Sequence, residues 1–126
     1  MSDETDRTTI GASEAGQQVL KRLKEQGIFP EMMDAYRFAI GLGLALGQRT
    51  PVVGRETLFN VGSFDKDQEV ANLITALMPA DAATVYRAAE EYAEAGFAAM
   101  SDAVEAGEFR FTEMLDRARS GRKVSV

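Results

Sequence analysis

The chain contains no cysteine and no histidine. Without cysteine there is no disulfide framework, no thiolate zinc site and no cysteine nucleophile. Without histidine there is no Ser-His-Asp triad, no Cys-His pair and none of the usual zinc or non-haem iron sites. These two absences exclude large classes of enzyme, so we predict that the protein is not an enzyme and uses no cofactor.

Long apolar runs and targeting signals are missing as well. The longest apolar run covers residues 39–47, whereas a helix that crosses a membrane needs about 20 apolar residues. The acidic segment 1–6 lacks the basic-then-apolar order of a secretory signal. Neither a glycine-rich phosphate loop nor a dinucleotide fingerprint occurs. We therefore expect a cytoplasmic protein with no membrane partner.

Positive charge is scarce, and its distribution is uneven. The chain has 20 acidic and 14 basic side chains, for a net charge of −6. Residues 1–64 carry seven basic and eight acidic side chains, while residues 65–126 carry seven basic and twelve acidic ones. Such a balance argues against general nucleic-acid affinity, because that affinity depends on lysine and arginine that displace counterions. The last residues reverse the sign and form a basic tail.

The pattern along the chain indicates one mainly α domain with a short N-terminal strand and about five helices. Its hydrophobic content of 45% is ordinary for a globular protein of 126 residues. We predict a disordered leader, a helical domain with three parts (a strand-helix-helix unit, a loop or β-arm, and a helical extension) and a basic tail. The leader is residues 1–7, the helical domain is 8–120 and the tail is 121–126. Within the domain, the strand-helix-helix unit is 8–47, the loop or β-arm is 48–64 and the helical extension is 65–120.

The second predicted helix, within residues 31–47, is apolar on nearly every side. The first helix, from Ser13 to Gln26, has one apolar stripe, with Ser13 as N-cap and Gly27 as a left-handed stop. Pro30 suits the first position of the second helix. A helix without a polar face must be covered on all sides, which favours a homodimer over the alternative of a monomeric core helix. The predicted interface residues are Met33, Tyr36, Ile40, Gly43, Leu44 and Gly47.

Residues 48–64 contain Arg49 and Arg55, which could bind a phosphate or an acidic partner as bidentate donors. The preferred interpretation is that both arginines are only solvated or pair with nearby carboxylates. After this segment, Asp65 and Gln68 resemble a capping box that starts a third helix, and Pro79 ends it. Asp81 is the predicted cap of a fourth helix that reaches about residue 106. A short fifth helix is predicted from about 109 to 121.

Two groups of carboxylates are candidate ion sites. Residues 65–69 have the early spacing of a calcium loop, but Val70 and Ala76 replace the glycine and glutamate that such a loop requires. Glu90, Glu91 and Glu94 lie on one helix and could hold a magnesium ion. A solvated acidic face is the favoured interpretation of these glutamates, because charge runs usually face water.

Within residues 7–47, the sequence resembles the ribbon-helix-helix families. The similarity is carried by a Thr-Thr-Ile strand at 8–10, a Ser-Glu-Ala helix start at 13–15, Leu-Lys-Arg-Leu at 20–23, Gly-Ile-Phe at 27–29 and Ala-Tyr-Arg-Phe-Ala-Ile at 35–40. Among these families it looks most like DndE, a small helical protein of bacterial DNA phosphorothioation systems. The resemblance implies an oligomer that contacts DNA or assists a DNA-modifying complex.

Two functional hypotheses follow. In the first, the chain is a non-catalytic oligomeric accessory subunit of a DNA-modification or defence complex, and the acidic face or the basic tail docks a larger enzyme. In the alternative, a homodimeric ribbon-helix-helix regulator binds DNA directly. Arg7 and Thr9 would then face the groove, while Lys21, Arg22 and Lys24 would hold phosphates.

Overall fold

A computed structural model describes residues 6–106 of the chain. A six-residue 3-10 turn, Pro79–Thr84, precedes the last helix. The strands and helices, in chain order, are β1 (Thr9–Ala12), α1 (Glu14–Glu25), α2 (Met32–Leu46), β2 (Glu56–Asn60), α3 (Val61–Phe64), α4 (Glu69–Leu77) and α5 (Val85–Glu105). The prediction of a mainly α fold with a short N-terminal strand and about five helices is confirmed. The helix predicted near 109–121 and the basic tail 121–126 lie outside the described residues, and α3 was not predicted.

The two strands form an antiparallel sheet inside a single chain. Thr9 pairs with Asn60 and Ala12 with Glu56, and the register shifts between Ile10 and Gly11. The segment 48–64, which we predicted to be a loop or β-arm, contains β2 and, at its end, the short helix α3. In a ribbon-helix-helix dimer the strand would pair with a second copy, whereas here β1 takes its partner from its own chain.

The first helix forms as its sequence predicts. The Ser13 side chain accepts a hydrogen bond from the Gly16 backbone N–H, and Gly27 adopts a left-handed φ of 73°. The apolar stripe of α1 is buried against the core. The helix α2 begins at Met32, later than the predicted Pro30 start, and Gly47 ends it in a left-handed conformation.

The crossing of α2 and α5 covers the apolar helix within one chain. A Cβ atom added at Gly43 would collide with the Tyr92 carbonyl of α5, and one added at Gly96 would collide with the Ala39 carbonyl of α2. Each helix thus places a glycine against the backbone of the other, which brings the two axes unusually close. We expected a second copy of the chain to cover α2, but α5 of the same chain covers it.

Of the two aspartates predicted as helix caps, Asp65 caps α4 and Asp81 does not cap α5. Asp65 is buried and accepts hydrogen bonds from the backbone N–H groups of Val70 and Ala71, so it does cap α4, but the helix begins only after Gln68, whose φ is +59°. Asp81 does not cap α5, because its carboxylate binds Arg49 at 2.9 Å. The real difference from the prediction is that a 3-10 turn separates α4 from α5.

Asp6, which we assigned to the disordered leader, supplies the cap of α5. Its carboxylate accepts hydrogen bonds from the backbone N–H groups of Tyr86, at 3.0 Å, and Arg87, at 3.1 Å. An acidic group at the start of a helix also interacts favourably with the helix dipole. The leader prediction is thus wrong for Asp6 and Arg7, and residues 1–5 lie outside the described part of the chain.

Replacing Asp6 with alanine is expected to lower the free energy of unfolding by about 1 kcal/mol, since an N-cap interaction of this kind is lost. Urea denaturation followed by circular dichroism measures the change. Asp67→Ala is the control, because Asp67 is an exposed acidic residue away from the start of α5. Equal losses in the two variants would contradict the capping role of Asp6.

Among residues 6–106, no helix is both long enough and apolar enough to cross a bilayer. The longest, α5, carries several charged side chains along its length.

Candidate functional site

A buried carboxylate, Glu90 of α5, joins three segments that are distant in sequence. Its side chain is 1% exposed and accepts hydrogen bonds from the Arg7 guanidinium at 3.1 Å, the Gly11 backbone N–H at 2.9 Å and the Arg55 guanidinium at 2.9 Å. Arg55 also donates to the Thr9 carbonyl and hydroxyl oxygens. Glu90, Arg7 and Arg55 form the Glu90 cluster.

One helical turn further, Glu94 repeats this contact with the same strand. Its carboxylate accepts hydrogen bonds from the Ser13 backbone N–H at 2.9 Å and from the Ser13 hydroxyl at 2.6 Å. Residues four apart on a helix have Cβ atoms roughly 5–6 Å apart, and alternate residues on a strand are roughly 6.6 Å apart. The spacing of Glu90 and Glu94 therefore matches that of the Gly11 and Ser13 N–H groups.

Tyr36 of α2 completes the polar contacts of the strand. Its hydroxyl donates to the Gly11 carbonyl oxygen, and its ring packs edge-on against Phe59, Phe64 and Phe97. Burial raises the pKa of the Tyr36 hydroxyl far above its ordinary value, and the charges of Glu90 and Glu94 raise it further. The hydroxyl consequently stays protonated and serves as a permanent hydrogen-bond donor.

The prediction of a solvated acidic face at Glu90, Glu91 and Glu94 is wrong for two of the three residues. Glu90 and Glu94 are 1% and 9% exposed, and both carboxylates accept hydrogen bonds from protein groups. Glu91 alone is substantially exposed, and it binds Arg49 at 3.0 Å. No group of three or more acidic residues in positions 6–106 is arranged to hold a metal ion.

The residues predicted to contact DNA do not form one exposed surface. Arg7 and Thr9 are both held within the Glu90 cluster by hydrogen bonds. Lys21 and Lys24 are exposed on α1, and Arg22 lies 3.7 Å from Glu105. Arg7 and Thr9, the side chains that would face the DNA groove, are thus half-buried and engaged in hydrogen bonds with other parts of the chain.

The residues predicted to form a subunit interface are mostly internal. Tyr36, Ile40, Gly43 and Leu44 are buried by the rest of their own chain. Two others are more accessible, since Met33 is half-buried and Gly47 is exposed at the end of α2. The buried four cannot contact a second copy in this conformation, because α5 and the aromatic side chains around Tyr36 already cover them.

The preferred interpretation of Arg49 and Arg55, pairing with nearby carboxylates, is confirmed. Arg49 donates to Asp81 and Glu91 and lies over the Tyr92 ring, with its guanidinium carbon 4.9 Å from the ring centre. Both arginines therefore hold the 48–64 segment against the helices.

An exposed apolar patch on α4 was not predicted. Leu73, Leu77 and Met78 are 45%, 53% and 39% exposed, and we call these three residues the α4 patch. The apolar residues of α4 repeat at helical spacing, but Ile74 is the only fully buried residue of this helix. The available signal was the absence of any charged residue from position 70 to position 80.

Comparison with known protein families, with curated proteins and with solved structures finds no match to this chain.

Proposed function

We propose that this chain is a non-catalytic assembly subunit that associates with other subunits through the α4 patch. The observation that carries the proposal is the exposure of Leu73, Leu77 and Met78 on a segment without charges. Contiguous apolar surface of this kind is typical of protein interaction sites. We assign the subunit to a DNA-modification or defence complex on the strength of its resemblance to DndE.

The engagement of Arg7 and Thr9 in the Glu90 cluster supports an assembly role over a DNA-reading one. Direct readout would require arginine or a similar donor to leave the protein and reach base edges. Arg7 would then leave a buried carboxylate with fewer donors, which costs free energy. The regulator alternative therefore has less support than the accessory role.

The geometry of α4 also sets the strength of the proposed association. A stable interface covers about 800 Å² on each partner, more than a helix of nine residues can supply alone. Self-association through this patch is consequently expected to be weak and dependent on concentration, and a larger partner would extend the contact. The absence of charge on the segment means that two copies, each at −6, do not repel one another there.

The proposal is tested with the double variant Leu73→Lys/Leu77→Lys by measuring mass in solution over a range of concentrations. The wild type is expected to rise above the 13.7 kDa monomer mass as concentration increases, while the variant stays monomeric because its ammonium groups must be desolvated in any contact.

Thr75→Lys is the matched control, since Thr75 is exposed on the same helix and lies about 200° around it from Leu73. It should associate as the wild type does. A wild type that remains a monomer at every concentration, or a double variant that associates normally, would contradict the role of the α4 patch in self-association.

A further inference from the structure

Two adjoining cavities run along the surface of α1. One, of about 590 Å³, lies between α1 and the second half of α5. The other, of about 640 Å³, lies between the start of α1 and the loop before β2. Ala15 and Glu94 line both cavities, so the two cavities adjoin along α1, and together we call them the α1/α5 trough.

The trough has an apolar floor and acidic sides. Val19 and Phe97 belong to its floor, and both are largely buried. Among the described residues that line the trough, Arg22 is the one basic side chain, and it already lies 3.7 Å from Glu105. The acidic lining residues are Glu14, Glu56, Glu94, Asp102 and Glu105. A segment that fits this trough must therefore be amphipathic and basic.

The part of the chain that follows α5 has this chemistry. Residues 107–126 contain five basic and three acidic side chains. Their apolar residues at 111, 114, 115 and 118 have the spacing of one helix face. A helix over the predicted range of about 109–121 would be roughly 20 Å long, and the stretch of α5 from Glu94 to Glu105 is roughly 18 Å long.

The position where α5 ends favours this segment over any other occupant. Asp102 and Glu105, in the last turn of α5, line the trough. Gly107 comes directly after the helix, where glycine commonly allows the chain to reverse direction. A reversal there would direct the following residues back along the trough. From these observations we propose that residues 107–126 dock into the α1/α5 trough of their own chain.

Cysteine pairs introduced into the full-length protein test this docking. The natural chain has no cysteine, so each engineered pair is unambiguous. Ala98→Cys and Gln18→Cys place a thiol at two exposed positions on the two walls of the trough, and each is combined with Leu115→Cys. The control pair combines Leu115→Cys with Ala83→Cys, because Ala83 is exposed in the 3-10 turn, outside the trough.

The measurement is the rate of disulfide formation with oxidised glutathione, followed by mass spectrometry. Both trough pairs are expected to form an intramolecular disulfide at least about tenfold faster than the control pair, because docking raises the effective concentration of the two thiols. Adding Asp102→Lys to either trough pair should slow its oxidation, as should high salt.

Equal rates for the trough and control pairs would overturn the proposal. Predominantly intermolecular disulfides would also overturn it, since the occupant would then belong to a second copy. The substituted positions on α1 and α5 are exposed, and circular dichroism checks that each variant is folded. The experiment does not involve the α4 patch, so its outcome is independent of the assembly proposal.

Discussion

Glu90→Ala is expected to lower the free energy of unfolding by roughly 1–3 kcal/mol, the cost of leaving a buried hydrogen-bonding group without its partner. The substitution leaves the Gly11 N–H without its acceptor, and it leaves Arg7 and Arg55 with no carboxylate between them. Both arginine side chains are partly exposed, at 35% and 21%, so they can turn towards water. The larger part of the loss therefore comes from the buried N–H and from the strand that it holds.

Urea denaturation measures this effect, and Glu91→Ala is its control. Glu91 is the next residue of α5, but its side chain is 39% exposed and makes a surface ion pair with Arg49. Pairs of that kind contribute at most about 1 kcal/mol. If Glu90→Ala and Glu91→Ala cost the same, the Glu90 cluster would not be the interaction that fixes β1 against α5.

Gly43→Ala is expected to destabilise the protein by roughly 1–3 kcal/mol, the usual cost of adding a group to a filled interior. The new methyl would collide with the carbonyl of Tyr92, and this atom belongs to the backbone, so no side-chain rotation can relieve the contact. The helices α2 and α5 would have to move apart along their whole crossing. Thermal or urea unfolding of the variant gives the size of the loss.

Gly41→Ala, two residues away, is the control, and its expected change in the free energy of unfolding has the opposite sign. A Cβ atom at Gly41 meets nothing within 4 Å, and alanine is favoured over glycine inside a helix by up to about 1 kcal/mol. This variant should be as stable as the wild type or more so. The account of the α2 and α5 crossing would fail if the two alanine variants changed stability in the same direction and by the same amount.

Local signals in the sequence were sufficient to predict α1 with both of its ends, whereas α2 begins at Met32 and not at the predicted Pro30. Ser13 and Gly27 act through their own backbone neighbours, so their roles can be inferred without knowing the fold. The alanine-rich face of α5 also indicated close helix packing, which Gly96 and Ala39 confirm. These features depend on residues that are near one another in the chain or on the size of a single side chain.

The roles of Glu90 and Glu94 could not be inferred in the same way. Two glutamates four residues apart give the same sequence pattern whether they face water or a strand. Their spacing matches the Gly11 and Ser13 N–H groups only once β1 lies beside α5. Asp6 is a similar case, since it caps a helix that begins about 80 residues later. The exposure of the α4 patch could not be inferred either, because its helical spacing fits a core helix equally well, yet Leu73 and Leu77 are 45% and 53% exposed.

Hydrogen exchange of the Gly11 and Ser13 amides tests the central claim most directly, which is that β1 is closed inside a single chain by the two glutamates. Both N–H groups donate to buried carboxylates, so we predict exchange as slow as global unfolding allows and unchanged on dilution of the protein. Fast exchange, or protection that disappears on dilution, would show that the strand is open or is closed by a second copy, and would contradict the account.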